Sequence, residues 1–72
     1  SEINWCENQL VELEIEQSKI EDLMANPDFY ELPEHKGDLK KHQVVLNKIW
    51  QVEQRWEKAM MELEEIEQQV NN

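Results

Sequence analysis

Ile3, Cys6, Leu10, Leu13, Gln17, Ile20 and Met24 follow one another in alternating steps of three and four. That rhythm keeps a single stripe on one side of an α-helix and is the seam of a coiled coil. A second stripe starts further on: Leu39, His42, Leu46, Ile49, Glu53, Trp56, Met60, Leu63, Glu67 and Val70. Beside it runs a flanking row of Val45, Val52, Ala59 and Ile66, spaced by seven, which widens the apolar face. Two stripes of this kind restrict the chain to paired helices and leave no alternation of period two from which to build a sheet.

The connector between the stripes is Asn26-Pro27-Asp28-Phe29-Tyr30-Glu31-Leu32-Pro33. Pro27 cannot continue a helix and disfavours the α region for Asn26, so helix one should run over about 2–25. Pro33 suits a first helical turn, and Gly37-Asp38 offers a second start with Asp38 as N-cap. Helix two therefore begins between 33 and 38 and covers about 34–70, with the turn at 26–33. Phe29, Tyr30 and Leu32 are placed to plug the closed end. A short connector makes the helices antiparallel. The expected fold class is all-α, an antiparallel two-helix coiled-coil hairpin forming one domain over 1–72. Pairing outward from the turn sets Met24 near Leu39, Gln17 near Leu46, Leu13 near Ile49, Leu10 near Glu53 and Cys6 near Trp56. Helix one then ends near Met60, which leaves Leu63, Ile66 and Val70 unpartnered over roughly 15 Å. Self-association of the isolated chain is the expectation for such an end.

The chemistry the sequence can carry is narrow. One glycine rules out a Gly-rich phosphate loop. His35 and His42, seven apart on a helix, lie about 10 Å from each other and share no metal. Cys6 has no second cysteine to pair with, and the runs Val44–Leu46 and Ala59–Met61 are too short to cross a bilayer. The acidic pairs Glu21-Asp22 and Glu64-Glu65 read as solvated faces, because a two-helix hairpin offers no cleft for acid–base work. The chain is thus read as non-enzymatic and cytoplasmic, with no cofactor of its own and no membrane contact. The absence of an initiating Met, with a start already in the helical pattern, suggests a piece of a longer protein.

The net charge of −10 opposes generic nucleic-acid binding, but the charge is unevenly spread. Residues 1–32 hold a single base, Lys19, whereas Lys36, Lys40, Lys41, Lys48, Arg55 and Lys58 all fall in the second half. Lys41, Lys48 and Arg55 are spaced by seven, with Lys40 and Lys58 beside them, and are read as a row on the outer face of helix two that could follow a phosphate backbone. An ordinary salt-bridged surface is the competing account of the same residues. A second candidate surface consists of Trp5, Val11 and Ile15, which fall off the first seam, together with Leu63, Ile66 and Val70.

Ala25-Asn26-Pro27-Asp28-Phe29-Tyr30 closes a Glu-rich helix, and Gln54-Arg55-Trp56-Glu57 and Met61-Glu62-Leu63-Glu64-Glu65 follow on the second. From about Leu10 to Ile66 this order resembles the C-terminal coiled-coil extension of ABC-F proteins, the ATP-binding-cassette subfamily without membrane spans, and in particular its Uup-like members. The helical-hairpin arms of some aminoacyl-tRNA synthetases are similar too. The ABC-F resemblance implies an accessory hairpin on an ATPase that acts on the ribosome or on DNA, with ATP and magnesium held by cassettes elsewhere in the parent. It implies nucleic-acid contact by Lys41, Lys48 and Arg55. The alternative is a protein-interaction or oligomerisation module.

Overall fold

The computed structural model describes residues 1–71. It is a helical hairpin, 61 Å long and 17 by 14 Å across. Helix α1 spans Glu2–Met24 and α2 spans His35–Asn71, joined through a single 3-10 turn at Phe29–Glu31.

Local chemistry sets each boundary. The Ser1 hydroxyl accepts from the Asn4 amide at 3.2 Å and caps α1. At the other end the Ala25 amide still reaches Glu21, but the Asn26 amide drops back to Leu23, and Pro27 ends the ladder. The Asn26 side-chain oxygen then accepts from the Asp28 amide at 3.0 Å, an Asx turn carrying the chain past the proline. Leu32, held extended by Pro33, turns its carbonyl to the start of α2. There it accepts from both the backbone amide and the Nδ1–H of His35, at 3.2 and 2.7 Å. Helix two thus starts at His35, ahead of Asp38, and Gly37 lies within its first turn.

Phe29 is the plug of the closed end, 1% exposed. Tyr30 and His35 meet it edge-on, with ring centroids 5.1 and 6.1 Å from it. Tyr30 itself is 68% exposed and does not share the plugging role expected for it.

The core is one seam. Cys6, Leu13 and Ile20 of α1 are buried against Val45 and Val52 of α2, with Leu10, Met24, Ile49 and Trp56 packed around them. On α1 this is the stripe read from sequence. On α2 it is a correction. The flanking row, Val45 and Val52 with half-buried Ala59, faces α1, while Leu46 and Glu53 are exposed beside the interface. His42, Ile49 and Trp56 belong to either arrangement, so the helix is rotated about its axis without sliding. Lengthwise, Glu21 meets His42 and Ile3 lies beside Ala59 and Leu63, as the pairing from the turn predicts. The rotation has a clear cause: the observed face is apolar except for His42, whereas the other would bury the Glu53 carboxylate without a partner. Among the described residues one polar atom is left over in the seam, the buried Trp56 indole N–H, which meets no acceptor.

Candidate functional site

The rotation of α2 changes what surrounds each base. With Val45 and Val52 in the seam, Lys41, Lys48 and Arg55 occupy the row immediately flanking it, and face the corresponding row of α1, Glu2, Gln9 and Glu16. Arg55 is ion-paired there. Its Nε and Nη2 donate to the two Glu2 carboxylate oxygens at 2.8 and 3.1 Å, and its guanidinium lies 4.3 Å from the centre of the Trp5 ring. Trp5, one of the off-seam residues, is therefore the platform of an intramolecular stack.

Lys48 borders a groove shared with Trp5, Gln9, Glu12 and Glu16 of α1. On its other side it joins Lys40, Lys41 and Lys19 around an open groove of about 510 Å³ whose floor is Ile20, Val44 and Val45. Lys19, the single base of residues 1–32, lies outside the row read along helix two and joins these lysines only across the interface. The antiparallel pairing sets Lys19 roughly level with Lys40 and Lys41 along the hairpin, and the rotation of α2 brings the three onto one edge. Lys58 is elsewhere, bordered by Glu57, Glu62 and Glu65. The five candidate bases thus divide into a lysine cluster, an ion-paired arginine and a lysine among carboxylates.

The opposite edge of the hairpin is acidic. Glu7 and Glu14 of α1 and Glu53 and Glu57 of α2 surround Leu10, Val11 and Trp56. Val11 and Ile15 are exposed, as the first seam requires. Near the turn, His42 Nε2 lies 3.0 Å from Glu21, and Gln17 donates to the same carboxylate at 3.1 Å. These hydrogen bonds from His42 and Gln17 hold the Glu21 carboxyl below the usual glutamate range. Cys6 is wholly buried, and burial, with Glu2 close by, pushes its thiol up, which suits a packing residue and not a nucleophile.

Beyond helix one, every residue from Met61 to Val70 is exposed. Leu63, Ile66 and Val70 continue the seam there, and Leu63 and Ile66 line a shallow groove with Ile3 and Ala59 at the open end. Among the described residues no group of three or more His, Cys, Asp or Glu converges as metal ligands would. No helix among them is long and apolar enough to cross a membrane. No family model, curated protein or solved structure matches this chain.

Proposed function

We propose that this chain is a non-catalytic helical hairpin whose α2 stretch 61–70 is a docking surface for another helix. The observation carrying this reading is the ten-residue stretch 61–70. It is helical and exposed throughout, yet it keeps the seam residues Leu63, Ile66 and Val70 in phase with the buried ones. An amphipathic helical end gains stability by covering its apolar stripe, and helix-in-groove or helix-on-helix recognition uses this spacing of anchors.

A second reading has its own support. Lys19, Lys40, Lys41 and Lys48 gather on one edge of an otherwise acidic molecule, and such a cluster can neutralise phosphates. On the ABC-F resemblance this edge of an accessory hairpin would meet ribosomal RNA or DNA while the parent's cassettes held ATP and magnesium. Arg55 and Lys58 fit that role less well, since one is bound to Glu2 and the other is bordered by acids.

Two variants separate the readings. Leu63→Ser with Ile66→Ser leaves every charge in place; Lys40→Glu, Lys41→Glu and Lys48→Glu leave the protruding end in place. Association with helical protein partners should be lost in the first and kept in the second. Binding to ribosomes or duplex DNA that disappears only in the lysine variant, with a salt slope reduced by a little under one per lost phosphate contact, hands the function to the second reading.

A further inference from the structure

The row that flanks the seam of α2 reads Lys41, Lys48, Arg55, Glu62, Gln69. Its basic members lie against α1, whose facing row is Glu2, Gln9 and Glu16, and the contact is direct at Arg55 with Glu2. The sign reverses at Glu62, past the level at which Ile3 of α1 lies beside Ala59 and Leu63. On the other flank the sequence runs Leu46, Glu53, Met60, Glu67. The exposed end therefore has an apolar stripe bordered by Glu62 and Glu67, with Glu64 and Glu65 near them, and no base after Lys58.

From this charge pattern we infer that the occupant of the protruding end is a basic amphipathic helix, one with Lys or Arg on both sides of an apolar stripe. The inference rests on the proposal that this end is an interaction surface, and it adds the chemistry of the partner. Charges that flank a coiled-coil seam select the partner, and like charges placed opposite one another disfavour the pairing. End to end, a second copy offers the wrong surface, because its free stripe is the same Glu-bordered segment; the lysine-bordered groove over Ile20, Val44 and Val45 is the one basic apolar surface described on it, and it lies between two helices rather than along a free one. End-to-end self-association, which the apolar stripe alone would suggest, is thus opposed by the residues on either side of it.

The test uses the whole chain and two synthetic helices of about three heptads. Both carry Leu at the seam positions, one with Lys and the other with Glu at the flanking positions. The Lys helix should bind and the Glu helix should not, with binding of the first weakened about tenfold between about 0.05 and about 0.5 M salt as the charges are screened. General attraction to an acidic chain is separated by two controls that preserve charge: Leu63→Ser with Ile66→Ser, and a Lys helix with Ser at its seam. Each should abolish binding, while thermal melting of the Ser variant shows that the hairpin remains intact. Glu62→Lys with Glu67→Lys should exchange the preference, costing the Lys helix about tenfold and admitting the Glu helix. Equal binding of both helices, or self-association through Leu63 and Ile66 in preference to the Lys helix, overturns the basic-partner inference and leaves the interaction surface standing. No binding to either helix and no self-association removes both.

Discussion

Val52→Ala together with Glu53→Leu tests the rotation of α2, because the two possible seams assign these neighbours opposite fates. Val52 is 8% exposed in the core cluster, and Glu53 is exposed on the acidic edge with Glu7 and Glu14. Truncating a buried valine removes two methyl groups. At about 0.8 kcal/mol each, plus a contribution from the cavity, that is a loss of roughly 2 kcal/mol. Alanine's better helix propensity returns about half a kcal/mol, so the net cost is about 1–2 kcal/mol. In a domain of this size each kcal/mol shifts the melting temperature by about 4–8 °C, which gives a fall of roughly 5–15 °C. Glu53→Leu lies outside the seam and should change stability by no more than about half a kcal/mol, partly by relieving repulsion among the acids. With Glu53 in the seam the outcome reverses. The leucine would then replace an unpaired carboxylate at the interface and raise the melting temperature markedly, while Val52→Ala on the flank would be nearly silent. Thermal unfolding followed by circular dichroism, at one protein concentration and ionic strength, reads both variants. A large gain from Glu53→Leu with a silent Val52→Ala would refute the observed seam.

Gly37→Ala should raise stability by about 0.5–1 kcal/mol, because the glycine lies within the first turn of α2 and an added Cβ meets nothing within 4 Å; a lowered melting temperature would show that this turn is not helical in solution. Glu21→Gln should destabilise the hairpin at neutral pH, and the difference from the parent should close on acidification. The sign follows from the lowered carboxyl of Glu21, caused first by the hydrogen bond to His42 and then by that from Gln17. Its contribution is fully present above the ordinary glutamate value of about 4.3 and disappears as pH falls through the lowered one. Melting curves from neutral pH to about pH 3 check it, and a gap between the two proteins that stays constant with pH would count against the Glu21 contacts.

Local rules in the sequence were enough for the elements. Pro27 and Pro33 bracket the turn because a proline ring blocks the helix on one side and restricts the residue before it on the other, and neither effect needs the rest of the chain. The α1 seam was equally legible: Ile3 through Met24 is the one continuous row of threes and fours on that helix, interrupted only by Gln17. That α2 outruns α1 within the described residues followed from counting, since Glu2–Met24 is shorter than His35–Asn71.

Helix two was different because its sequence supports two seams that share His42, Ile49 and Trp56. Periodicity along one helix cannot choose between them, as both have the same spacing. The choice is made across the interface, where Cys6, Leu13 and Ile20 need apolar partners and a buried Glu53 would have none. The candidate basic row depended on the same choice. Rotating α2 moved Lys41, Lys48 and Arg55 from an outer face to the edge of the seam, joined Lys19 to the lysines and gave Arg55 to a carboxylate 53 residues away. Spacing within a helix determined which residues form a row; which way that row points depended on a second helix, and so on tertiary packing alone.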